Sequence, residues 1–139
     1  MHVQLFTDGG SRGNPGHAAC GYVVKDSKGT ILSQKGSYLG VTTNNQAEYE
    51  GLLHGLKQCK NLGVTDVSCF LDSELVVKQM NGEYRVKHPD LKPLWQKARS
   101  YFAIFKTLTF SAIRREKNKE ADRLVNQALD NPPPYPLHN

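Results

Sequence analysis

The sequence has no apolar run that approaches the length of a bilayer span, and its first residues carry no basic-then-apolar leader. The expectation is a cytoplasmic protein with no membrane partner. Cysteine is scarce: Cys20, Cys59 and Cys69 are scattered, odd in number and form no CxxC pair. That spacing argues against a zinc site and for buried, reduced thiols. His17, His54 and His138 show no metal-ligand spacing. Internal repeats are absent, and no shift of composition separates a second domain.

What is present fits one soluble globular domain of 139 residues, with 38% hydrophobic and 22% charged side chains. The net charge of +5 is uneven. From Arg85 onward there are eleven Lys and Arg against five Asp and Glu, whereas residues 1–84 hold seven against eight. A basic half suits a polyanionic partner, although a solvated basic face is the plain alternative.

Pattern and punctuation give the order βββαβααβα. Val3 to Asp8 reads as a strand ended by Gly9-Gly10; Ala18 to Asp26 and Ile31 to Leu39 complete an antiparallel meander. Thr43-Asn44 caps a helix to about Asn61, with Gly63 as its stop and Leu52, Leu56 and Cys59 on its apolar stripe. Val67 to Asp72 is a fourth strand, and Ser73 caps a short helix from Glu74 to about Met80. His88-Pro89-Asp90 opens another helix, which carries Leu91, Leu94, Trp95, Ala98, Phe102 and Phe105. Leu108 to Ile113 is the fifth strand, and Asn118 caps a last helix. The expected fold is α/β: a five-stranded mixed sheet, three antiparallel strands and then two parallel, with helices on both faces. Residues 1–131 form the domain, and the proline-rich 132–139 forms an extended tail.

Four acids fall where the pattern expects core or strand ends. If the first and fourth strands are parallel neighbours, Asp8 and Asp72 lie roughly 5 Å apart at one sheet edge. Open α/β sheets bind their ligands at that edge. Glu48 lies four and eight residues before Leu52 and Leu56, on the helix stripe that faces the sheet. Asp122 lies three and seven residues before Val125 and Leu129, so it too points toward the core edge. Each acid has a local reading too: a turn-initiating Asp8, a capping Asp72, and dipole-complementing Glu48 and Asp122. Those readings leave the convergence of all four unexplained. Four like charges at one edge call for cations, and an all-oxygen donor set suits Mg²⁺ or Mn²⁺. Two such ions about 3.5–4 Å apart clamp an in-line displacement at phosphorus. With the basic half, the pattern points to phosphodiester hydrolysis.

The stretches "FTDGGSRGNPG", "TTNNQAEYEGLLHGL", "LDSELVVKQMNG" and "REKNKEADRLVNQAL" together resemble the type 1 ribonucleases H, over Val3 to about Leu129. The resemblance implies the ribonuclease H-like fold and an endonuclease that cuts the RNA strand of RNA/DNA hybrids, leaving 3′-hydroxyl and 5′-phosphate ends. It implies that Asp8, Glu48, Asp72 and Asp122 are the metal-binding D-E-D-D set, holding two Mg²⁺ with Mn²⁺ as substitute. It implies that the backbone of Gly10, Ser11, Arg12 and Gly13, with Asn14, Asn45 and Gln46, lies along the hybrid's minor groove, where 2′-hydroxyls mark the RNA strand. Thr43 and Asn44, with Asn14, resemble the family's DNA-strand phosphate site; a helix N-terminus suits a phosphate.

Two departures stand out. Many relatives carry a loop histidine before the last aspartate; here "IRREKNKEAD" has none, and Arg115 is the candidate substitute, with Glu116 second. Some relatives also insert a basic helix after the short helix; here "MNGEYRVKHPDLKPLW" leads straight on, with Arg85, Lys87 and Lys92 as partial replacements or as merely solvated charges. We expect a compact, monomeric, free-standing enzyme, for which double-stranded RNA is a second possible substrate. The alternatives are a non-catalytic hybrid or double-stranded RNA binding module, another nuclease on this fold, and a domain of a larger polyprotein.

Overall fold

The computed structural model describes residues 1–134. Five strands and four helices follow one another in the expected order: β1 His2–Gly13, β2 Gly16–Lys25, β3 Ile31–Thr42, α1 Asn44–Asn61, β4 Asp66–Leu71, α2 Glu74–Met80, α3 Lys92–Ser100, β5 Thr107–Ala112 and α4 Lys119–Asp130. They make one sheet in the order β3-β2-β1-β4-β5. The β1/β2 and β2/β3 pairs are antiparallel, and the β1/β4 and β4/β5 pairs are parallel. The mixed sheet therefore has the composition expected from the sequence.

Strand alternation divides the chain between two faces. Val3 and Leu5 of β1 and Val67, Cys69 and Leu71 of β4 are buried in one core with Tyr49, Leu52, Leu56 and Cys59 of α1. The three cysteines are free thiols within the interior. Burial pushes Cys20 and Cys59 up to about 12, so both stay neutral. Helix α4 packs against β2 and β3, with Ala121 and Val125 buried. No described helix is long and apolar enough to cross a membrane.

Three local expectations are corrected. Strand β1 does not end at Gly9-Gly10 but runs to Gly13, paired residue for residue with β2 from Gly9↔Cys20 to Gly13↔Gly16. Glycine disfavours strands because it has most entropy to lose, but an antiparallel partner on one side outweighs that preference. The turn is Asn14-Pro15, with a cis peptide bond, after a Gly13 whose φ of 95° suits glycine. Helix α3 begins at Lys92 rather than at the His88-Pro89-Asp90 segment, with Pro93 in its first turn, and gives way to a 3₁₀ turn at Tyr101–Ala103. Phe102 is consequently 40% exposed, while Phe105 lies in the core and stacks on Tyr101. The third correction, to Asn118, belongs to the site.

No helix intervenes between α2 and α3, as the compact reading expected, and Arg85, Lys87 and Lys92 are exposed there. Of the tail, residues 132–134 are non-helical; residues 135–139, with His138, lie outside the described residues.

Candidate active site

The parallel register Thr7↔Leu71 sets Asp8 and Asp72 side by side one step further on, as β4 stops and the chain turns into α2. Asp8 is thus in the middle of β1, at the point where the sheet narrows from two neighbours to one. Glu48 comes from the first turns of α1. A Cβ on Gly9 would lie 2.1 Å from the Ala47 carbonyl oxygen, and one on Gly51 would lie 2.4 Å from the Asp8 carbonyl oxygen. Only bare backbone at both positions lets α1 lie this close to β1, which seats Glu48 against Asp8. Carboxylate oxygens of Asp8, Glu48 and Asp72 all fall within 4.8 Å of one another. Asp8 and Glu48 are each only 7% exposed.

That packing is electrostatically costly. Burial first, and then the charge of Asp72, pushes Asp8 up to about 7. Burial, followed by the charges of Asp8 and Asp72, drives Glu48 well above the usual carboxylate range. Asp72 is raised by burial, against the hydrogen bond from Asn118 and the nearby Arg115 guanidinium, which pull it down. Glu48 Oε2 is buried with no hydrogen-bond partner among the described residues. A divalent cation fits this arrangement: hard oxygen donors at short mutual distance, one of them lacking any partner, and a surplus of negative charge.

Asp122 stands in the first turn of α4, half-buried, and its charge adds to the upward push on both Asp8 and Asp72. It lies outside the group of three, and Asn126 Nδ2 donates to its Oδ2 at 3.3 Å. Arg115 lies on the exposed 3₁₀ turn before α4, and with Asp72, Glu74 and Ile113 lines a cleft of about 360 Å³. Glu116 points its charge toward Arg114 instead, at 3.8 Å.

Asn118 corrects the sequence reading. It occupies the N-cap position of α4 but makes no side-chain cap bond. Its side chain is buried, 1% exposed, and Nδ2 donates to the Thr7 carbonyl at 2.8 Å and reaches Asp72 Oδ2 at 3.5 Å. The β4 ladder stops opposite Thr7, so the amide takes over a carbonyl just where the strand partner ends. Asn118 thereby joins β1, Asp72 and the start of α4. Its N-cap pattern hid this role.

The residues expected to meet substrate form one continuous surface at the hairpin tip and the α1 N-terminus. Asn44 Oδ1 accepts from the Ser11 N–H at 2.9 Å, and Asn14 Oδ1 accepts from the Asn44 N–H at 3.0 Å. Thr43 and Gln46 form a reciprocal capping box, and Gln46 Oε1 also accepts from the Thr42 hydroxyl at 2.6 Å. Gly10 is half-buried and free of crowding, its nearest neighbour to a Cβ being Asn44 Oδ1 at 3.6 Å. Asn45 is exposed. The Arg12 side chain turns away to pair with Asp130 at the far end of α4, at 2.7 Å, while its backbone stays in the hairpin ladder.

Comparison with known proteins agrees with this geometry. Residues 6–128 match the family model described as reverse transcriptase-like. The bifunctional protein Rv2228c of Mycobacterium tuberculosis is 44% identical over 94% of the chain, which spans only 36% of that relative's length. The crystal structure of RNase H1 from Halobacterium salinarum superposes with a TM-score of 0.92 at 38% identity, covering 94% of this chain and 99% of that one. LC11-RNase H1, solved in complex with an RNA/DNA hybrid, gives 0.88 at 45% identity over 92% and 96% of the two chains. Sheet order, the clustered acids, the family model and the near-complete match to RNase H1 agree, and the chain belongs to the type 1 ribonuclease H family.

Proposed function

We propose that this chain is a metal-dependent endonuclease that hydrolyses the RNA strand of RNA/DNA hybrids, leaving 3′-hydroxyl and 5′-phosphate ends. The observation that carries the reading is the convergence of Asp8, Glu48 and Asp72 within 4.8 Å, with Glu48 Oε2 lacking a partner among the described residues. A binding module would gain nothing from buried carboxylates that repel phosphate, which disfavours the non-catalytic alternative.

Asp8, Glu48 and Asp72, joined by Asp122 from α4, are the groups to hold two Mg²⁺, with Mn²⁺ as substitute. When bound, these ions activate water for in-line attack at phosphorus and stabilise the leaving oxygen. The protein's part is to hold four acids in place. Gly9 and Gly51 fix how near Glu48 stands to Asp8, and Asn118 fixes Asp72 relative to the end of the β1/β4 ladder. Near pH 7 the metal-free pair of Asp8 and Glu48 retains a proton that cation binding displaces. Arg115, on the exposed turn near Asp72, is the candidate substitute for the loop histidine of many relatives, with a part in product release.

Gly10, Ser11, Arg12 and Gly13, with Asn14, Asn45 and Gln46, present the hairpin tip to the minor groove; Thr43 and Asn44 offer the α1 N-terminus to a DNA-strand phosphate. One chain supplies all four acids, so the proposed site needs no residue from a second subunit. The test is cleavage of labelled RNA/DNA hybrid, double-stranded RNA and double-stranded DNA, each with Mg²⁺, Mn²⁺ or EDTA. Cutting of the hybrid's RNA strand with metal, and its loss in Asp72→Asn, is the expected result. No cutting with either ion, or an Asp72→Asn protein as active as wild type, overturns the reading.

A further inference from the structure

One concavity of the described residues lies away from the carboxylates. It is a groove of about 730 Å³ between the C-terminal half of α1, the β3 edge and α3. Its rim carries four lysines from three elements: Lys35 of β3, Lys57 and Lys60 of α1, and Lys97 of α3. All four are exposed, and none lies within ion-pair distance of a carboxylate among the described residues. Lys25 and Arg12, elsewhere on the surface, pair with Glu120 and Asp130. The one acid in the groove, Glu50, lies against His54 at 3.6 Å. Its floor is partly apolar, with Leu53, Tyr101 and an Ile104 that is 49% exposed.

A cleft lined by charge of one sign concentrates field lines and attracts the opposite sign. Lysine ammoniums act on phosphate as point charges without demanding one geometry. The volume lies in the range of about 300–1,000 Å³ that encloses a drug-sized ligand, so it takes a short run of phosphates and not a duplex. The position is informative too. The groove shares Glu50 with a smaller cleft that includes Thr42 and Gln46, at the hybrid-facing end of α1. From Gln46 to Lys57 the helix rises about 16 Å, a span of a few nucleotides.

We propose that this lysine-lined groove binds the phosphate backbone of a single-stranded nucleic acid, the unpaired strand that continues beyond a hybrid held at the active site. The second half of that statement rests on the hybrid-cleaving function proposed above. Recognition is through phosphate, with the apolar floor under sugars and bases, so DNA and RNA single strands bind alike and without sequence preference.

The experiment measures binding in EDTA by fluorescence anisotropy. The probes are a blunt hybrid, the same hybrid with a single-stranded DNA or RNA extension, and a single strand alone. Wild type is compared with a Lys57→Gln, Lys60→Gln, Lys97→Gln variant, none of whose sites touches the carboxylate cluster. Each lysine on a single strand adds about 0.7 to the slope of log affinity against log salt, so three add about 2. The extended hybrid then loses roughly 20-fold more affinity than the blunt one between about 50 and 200 mM salt, and the variant removes that difference. Blunt-hybrid affinity and cleavage stay as in wild type, which also shows that the variant is folded. Equal affinity of wild type for blunt and extended hybrids, an extension advantage that survives in the variant, or a parallel loss on the blunt hybrid overturns the proposal. Failure of the hybrid-cleaving reading shows separately, as a blunt hybrid that is never cut when Mg²⁺ or Mn²⁺ replaces EDTA, and the single-strand probe still reports on the groove.

Discussion

Asp8 offers the sharpest quantitative test. Its carboxyl titrates at about 7 in the folded, metal-free protein, against 3.8 for the ordinary group, because it is buried and faces Asp72. Below pH 3.8 both folded and unfolded chains hold the proton, and Asp8 contributes nothing. Between 3.8 and 7 the unfolded chain releases it while the folded chain keeps it, so stability falls as pH rises. Above 7 the penalty is complete. Three pH units at 1.36 kcal/mol each give a loss of about 4 kcal/mol, a large share of a small domain's stability. Glu48, raised in the same direction, adds to the slope.

The assay is urea unfolding in EDTA at pH 5 and at pH 8. Wild type is expected to be less stable at pH 8, and Asp8→Asn, which cannot ionise there, to be the more stable protein at that pH. Mg²⁺ is expected to restore wild type at pH 8, by about 2.7 kcal/mol at a hundred times its Kd, and to help Asp8→Asn far less. A wild-type stability that is level between the two pH values, or an Asp8→Asn protein less stable than wild type at pH 8, refutes the electrostatic account of the site.

Further perturbations separate positions that look alike in sequence. Gly9→Ala drives a Cβ into the Ala47 carbonyl, so α1 must shift, at about 1–3 kcal/mol as for other overpacked sites, and Mg²⁺ affinity falls with it. Gly10→Val faces no such clash; its melting temperature should match wild type while hybrid affinity drops, and unchanged affinity would make the hairpin tip a mere turn. Asn118→Ala leaves the Thr7 carbonyl without its donor, for about 1–3 kcal/mol of stability, and loosens Asp72; Mg²⁺ titration should show weaker binding even at temperatures where the variant is fully folded. Arg115→Ala is expected to lower kcat more than hybrid binding, and an unchanged kcat at saturating hybrid would remove Arg115 from the reaction.

Much of the fold was legible because local and global preferences agree. Thr43 caps α1 as its position announces, Ser73 caps α2 through the Val76 N–H, and the apolar stripe of α1 meets the sheet as drawn. Legibility failed where a distant partner outvoted the local pattern. The glycines after Asp8 look like a loop, yet β2 supplies a full set of partners and the strand continues to Gly13. The helix expected from His88-Pro89-Asp90 starts only at Lys92, where Pro93 fits a first turn, and its aromatic end unwinds into a 3₁₀ turn because Phe105 must reach back to the core.

The site shows the same division at closer range. Spacing alone placed Glu48 on the inner stripe and put Asp8 and Asp72 at matching points of two strands, so three converging acids could be inferred from one dimension. How near they come could not, because it is set by Gly9 and Gly51, whose missing side chains matter only once α1 and β1 are in contact. The need for Asn118 was equally hidden: its amide answers a carbonyl more than a hundred residues away, orphaned by the end of β4. Both features act on the same quantity. Close approach raises the cost of holding Asp8, Glu48 and Asp72 together, and the buried amide fixes the geometry in which that cost is met. A looser helix or a freer Asp72 would make a more comfortable protein without metal and a poorer cage for one. The mutual repulsion of these carboxylates is therefore a measure of how strongly the fold is organised around a cation.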